Sequence, residues 1–160
     1  MKIGLNLLQI RPEVGGGWNY IENLLSALAK FDNHNQYFAY VTEDSRSIVP
    51  DENNFQKIGF NIRPGNRVSR IFHEFFSLEL QANKDSIDCL FWFGNIISPF
   101  TSIPSLVVVH DLRAFSDPES YSFIRGVYVR SMMRTLQFKS NKSVIAISKK
   151  TARDIESYLN

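Results

Sequence analysis

Six short apolar runs recur along the chain, at residues 3–8, 37–41, 57–62, 87–92, 105–109 and 144–147. Each has the length of a β-strand. The runs Leu106-Val107-Val108-Val109 and Val144-Ile145-Ala146-Ile147 show no polar alternation, the pattern of parallel strands buried on both faces. Between the runs the spacing changes to that of a helix. Tyr20, Ile21, Leu24, Leu25 and Leu28 predict a helix over 17–30. Val68, Ile71, Phe72, Phe75 and Phe76 predict a second over 68–82 with these side chains on one face. A third is expected over 121–138 and a last after Ser148. The polar stretch 44–54 with Pro50 reads as a surface loop. Alternating strands and helices predict an α/β fold: a Rossmann-like, doubly wound, mostly parallel sheet with helices on both faces.

A length of 160 residues suits one such domain. The net charge of +2 argues against a generic nucleic-acid binder, but the charge is unevenly placed. From Arg113 to Arg153 nine Lys/Arg stand against Asp117 and Glu119, so the rest of the chain is net acidic. This basic third suits an anionic ligand, an acidic membrane surface or another protein domain, or simply forms solvated helix faces. The helix over 121–138 interleaves Phe123, Ile124 and Val127 with Arg125, Arg130 and Arg134, and the helix of Phe72, Phe75 and Phe76 is flanked by Arg63, Arg67 and Arg70. Both stripes suit either a core-facing helix or one lying against phosphorylated lipid headgroups. The single Cys89 permits no disulfide or zinc cluster within one chain, and His34 and His73 do not stand at metal-ligand spacing from His110. No metal site is expected. With no leader pattern and no run of about 18 apolar residues, a cytoplasmic protein with at most peripheral membrane contact is expected.

In a doubly wound sheet, ligands gather at the carboxyl ends of the strands, and the distinctive residues of this chain follow strands. Gly15, Gly16 and Gly17 come between the first strand and the first helix, where glycines allow positive φ or close ligand approach and free helix N–H groups attract anions. No Gly-Lys-Ser/Thr follows, and the spacing is not Gly-x-Gly-x-x-Gly. Trp18 is placed either to stack on a sugar ring or to pack into the core. Gly94 and Asn95 follow the fourth strand and either line the crevice or make a plain turn. His110 and Asp111 follow the fifth, where an imidazole can polarise a ligand or exchange a proton, or where the pair closes the strand and satisfies loop amides. Ser148 is a natural N-cap for the last helix, whose N-terminus would also face the ligand edge.

Taken in order, Met1-Lys2-Ile3-Gly4-Leu5-Asn6, the segment from Gly15 to Leu25, Pro104 to Leu112 with His110-Asp111, and Ser143 to Ser148 followed by Thr151-Ala152-Arg153-Asp154-Ile155 resemble the N-terminal domain of a family 4 glycosyltransferase. That resemblance implies the N-terminal half of a GT-B fold over residues 1–160, with the donor-binding C-terminal domain absent from this chain. It implies a retaining enzyme that transfers a hexose from a nucleoside-diphosphate sugar, its donor substrate, to a glycan or lipid-linked acceptor, with no further cofactor. Gly15, Gly16 and Gly17 would approach the donor phosphates or the acceptor. His110 would reach the transferred sugar near its anomeric centre, Asp111 belongs to the matched pair, and Ser148 would line the cleft. Relatives commonly carry a small residue at Trp18, an arginine at Asn19 and an aspartate at Asn6, so acceptor contacts at this loop would differ. The chain alone is expected to be inactive. The alternative is a stand-alone Rossmann-like module that binds a nucleotide or another phosphorylated ligand without catalysis.

Overall fold

The computed structural model describes residues 1–12, 16–63, 65–138 and 140–159. Its centre is a six-stranded, all-parallel sheet in the order β3-β2-β1-β4-β5-β6, formed by β1 (Lys2–Asn6), β2 (Gln36–Val41), β3 (Phe55–Gly59), β4 (Cys89–Trp92), β5 (Ser105–Val109) and β6 (Lys142–Ala146). The helices are α1 (Gly16–Phe31), α2 (Arg67–Phe72), α3 (Leu78–Lys84), α4 (Arg113–Ser116), α5 (Phe123–Phe138) and α6 (Lys149–Leu159). This is a Rossmann-like, doubly wound fold.

Each sheet face has its own apolar core. On one face Ile21 and Leu25 of α1 pack with Leu5, Ala39, Val41 and Val108. On the other Leu78 and Ala82 of α3, Met133 and Leu136 of α5 and Leu159 of α6 pack with Tyr40, Leu90, Val107 and Val109. From β1 the chain crosses α1 to β2 on one side, and from β4 it passes to β5 on the other. The strand order therefore reverses between β1 and β4, and a crevice opens at their carboxyl ends.

Local chemistry sets where the strands stop. The expected strand over 3–8 ends at Asn6, because the Asn6 Oδ1 accepts the Leu8 N–H at 3.2 Å and takes that group out of the ladder. Gly4 leaves no room for a side chain beside its neighbours in the sheet. A Cβ there would lie 2.8 Å from Leu90 Cδ1 and 3.0 Å from Tyr40 Cε2. The third strand begins earlier than its apolar pattern suggests, because Tyr37 pairs with Phe55 and their rings stack at 4.7 Å. The fourth starts at Cys89 and the sixth at Lys142.

The helix expected over 68–82 is α2 and α3 joined by a π-helical turn at His73–Ser77. The side chains expected on one face divide: Val68, Phe72 and Phe76 are exposed, whereas Ile71 and Phe75 are half-buried. No helix among the described residues is long and apolar enough to cross a membrane.

Candidate functional site

The crevice at the β1–β4 switch is a cavity of about 480 Å³ lined by Gln9, Gly17, Gly94, Asn95, His110 and Arg125, with Ile10, Phe93, Ile96, Tyr121 and Val129 completing the wall. A second hollow of about 570 Å³, lined by Gly16, Gly17, Tyr20, His110, Ile145 and Ile147, shares Gly17 and His110 with it. The imidazole of His110 thus stands in the partition between two openings.

That imidazole is held from two directions. Its Nε2 lies 3.1 Å from the Phe93 carbonyl oxygen. A carbonyl only accepts, so Nε2 carries the hydrogen and Nδ1 of the neutral ring keeps its lone pair. No hydrogen bond to Nδ1 is formed by the described residues, which leaves it to accept from a ligand hydroxyl. Tyr20 meets the ring edge to face at 5.9 Å, and burial pushes its phenol up, so Tyr20 stays neutral beside it.

The backbone of His110 is fixed by Asn95. Asn95 Oδ1 accepts the His110 N–H at 2.8 Å, and Asn95 Nδ2 donates to the Asp111 carbonyl at 3.1 Å. Both ends of the amide tie the loop after β4 to the end of β5. On the other side Thr151 Oγ1 donates to the His110 carbonyl at 3.2 Å. Ser148 Oγ accepts the Thr151 N–H at 3.0 Å and so caps α6, as its position suggests. The start of α6 is thereby anchored to β5 at His110.

The other residues singled out by sequence divide between the crevice and its supports. Gly16 and Gly17 are the first residues of α1 with helical backbone, so glycine here leaves room rather than supplying positive φ. A Cβ at Gly16 would meet nothing within 4 Å. Gly15 lies outside the described residues. Trp18 is half-buried against the core on the α1 face and lines neither cavity. Asp111 and Ser148 also line neither. Asp111 Oδ1 accepts the Arg113 N–H at 3.1 Å and starts the short α4. Gly94 lies against Gln9, where a Cβ would come within 2.7 Å of Gln9 Cδ.

Sequence reasoning did not single out Gln9, Tyr20 or Thr151 for the site. Gln9 had one usable signal, a polar residue closing the first apolar run at the ligand edge. Arg125 stood out as part of a basic helix rim. In the structure it lines the 480 Å³ cavity together with His110, and its guanidinium lies over the Tyr121 ring at 5.1 Å.

Behind the crevice Asn6 Nδ2 donates to Glu74 Oε1 at 3.4 Å, and Arg70 Nη1 pairs with Glu74 Oε2 at 2.8 Å. Burial pushes the Glu74 carboxyl up, against the opposing pull of Arg70 and Asn6. Among the described residues no group of three or more His, Cys, Asp or Glu side chains is placed to hold a metal ion. No family model and no curated protein matches the chain.

Proposed function

We propose that this chain is the acceptor-side half of a retaining glycosyltransferase whose second domain grips a nucleoside-diphosphate hexose. The observation that carries this reading is His110. Its Nε2 is tied to Phe93, its Nδ1 has no hydrogen-bond partner among the described residues, and it stands at the strand-order switch beside the open start of α1. A lone-pair acceptor there suits a sugar hydroxyl, and the apolar wall of Ile10, Phe93 and Val129 suits the flat face of a pyranose.

In the reaction proposed, the bond between the anomeric carbon and the diphosphate oxygen breaks while a bond to the acceptor hydroxyl oxygen forms on the same face. The acceptor proton passes to the departing diphosphate, and nucleoside diphosphate leaves. No protein nucleophile is required. The contribution of this half is positioning, with His110 orienting a hydroxyl of the transferred hexose and Arg125 offsetting developing negative charge. The acceptor is a glycan or a lipid-linked saccharide.

The test is release of nucleoside diphosphate from a panel of UDP-, GDP- and ADP-hexoses by a protein in which this chain is joined to a donor-binding domain. His110→Ala is expected to lower kcat about 100-fold or more, the scale of losing a positioned polar group. An unchanged kcat would overturn the role given to His110.

The competing reading is a nucleotide-binding module without catalysis, and the empty space at Gly16 favours it as much as it favours an acceptor site. Gly16→Asp fits that space and adds negative charge at the helix start. Tight nucleotide binding by the isolated chain that is lost in Gly16→Asp would select the module.

A further inference from the structure

A stripe of exposed large apolar side chains runs along the outside of the α2–α3 run: Val68, Phe72, Phe76 and Leu80 are 80, 56, 45 and 65% exposed. Four residues turn an α-helix about 40° past a full circle, so a spacing of four normally drifts off one face. The π turn at His73–Ser77 is wider and offsets that drift. Phe72 and Phe76 touch at 5.3 Å between ring centroids, and the 60% exposed Phe100 stacks on Phe76 at 5.1 Å. The result is one continuous aromatic and aliphatic ridge facing outward.

The exposed charges of the run are cations, whereas its carboxylates keep their negative charge but are buried or half-buried. Each carboxylate of the run is held by partners of its own: Glu74 by Asn6 and Arg70, Glu79 by the Ser102 N–H and hydroxyl, and Asp85 by Tyr40 and Gln81. Arg63 and Arg67 at one end and Lys84 at the other are exposed, with no ion-pair partner among the described residues. An apolar ridge between unpaired cations complements a surface that is greasy below and anionic above. A second copy fits it poorly, since a symmetric contact on this ridge brings like cations together.

We propose that the α2–α3 ridge docks this protein on a bilayer containing anionic lipid. Phe72, Phe76 and Phe100 enter the acyl boundary, and Arg63, Arg67 and Lys84 meet the phosphates. Helices α3 and α5 pack into the same core on one face of the sheet, and α5 also supplies Arg125 and Val129 to the crevice. Docking would therefore hold the crevice close to the lipid surface. The proposal does not depend on sugar transfer.

The test is co-sedimentation of the chain with phosphatidylcholine vesicles, with and without phosphatidylglycerol. Partition onto the anionic vesicles is expected to exceed that onto neutral ones about tenfold and to weaken with salt. Phe72→Ser with Phe76→Ser is expected to lower it about tenfold or more, and Arg63→Gln with Arg67→Gln to remove the preference for anionic lipid. These side chains are exposed, so circular dichroism and melting should match the parent chain. Absence of vesicle binding, or binding unchanged in both double variants, would overturn the proposal. So would sedimentation equilibrium showing a dimer that Phe76→Ser dissolves, which would make the ridge a protein interface.

Discussion

Asn95 grips His110 and Asp111 with one amide, accepting the N–H of the first and donating to the carbonyl of the second. Asn95→Ala removes both bonds and leaves a half-buried N–H and carbonyl without their partner, which is expected to lower stability by about 1–3 kcal/mol. Asn95→Asp keeps the acceptor but turns an oxygen toward the Asp111 carbonyl, so it should fall with the alanine variant rather than with the parent. Urea unfolding of the three chains checks this, and an aspartate as stable as the parent would contradict it.

The hydrogen bond from His110 to the Phe93 carbonyl fixes the tautomer. In the neutral ring Nε2 is expected to carry the proton and Nδ1 to be bare. Long-range proton–nitrogen correlation spectra of the imidazole read this directly. A proton on Nδ1 would remove the acceptor that the site requires.

Two glycines separate packing from function. Gly4→Ala pushes a methyl against Leu90, Tyr40 and Ile87 and is expected to destabilise the fold by about 1–3 kcal/mol. Gly16→Ala places its methyl in open space at the start of α1 and is expected to change stability by less than about 1 kcal/mol. Thermal melting of both variants distinguishes them, and equal losses would show that Gly16 too is held by packing.

Glu74 gives the stability a pH dependence. Its carboxyl is pushed up in the folded chain, chiefly by burial. Above the ordinary glutamate value of about 4.3 the unfolded chain has lost this proton while the folded chain still holds it. The contribution is fully present below that value and is lost as pH rises through the folded one. Urea titrations across this window should show a downward slope with pH that Glu74→Gln flattens. A slope unchanged by the substitution would assign it to other groups.

The strand at Ser105–Val109 was legible from sequence, because a strand covered on both faces must be apolar throughout. The same pattern located β6 but misjudged its burial: β6 is the edge strand of the sheet, and Val144 and Ile145 there are 37 and 36% exposed rather than covered on both faces. Apolar pattern could not show that Asn6 would end β1 through its own side chain, since that depends on one amide meeting one N–H. Nor could it show the π turn at His73–Ser77, which widens the helix without altering composition. At the site, His110 was legible because it follows a strand. Asn95 and Thr151 act on it across 15 and 41 residues of chain, and such partners emerge only from the sheet order.

The central claim is that a saccharide sits at the β1–β4 switch against His110. Amide chemical-shift mapping of the nitrogen-15-labelled chain, titrated with simple hexosides and a lipid-free saccharide panel, tests it most directly. The account predicts shifts gathered on Gln9, Gly17, Gly94 and His110, and their loss in His110→Ala. Saturating shifts elsewhere on the surface, or no shifts with any saccharide, would contradict it.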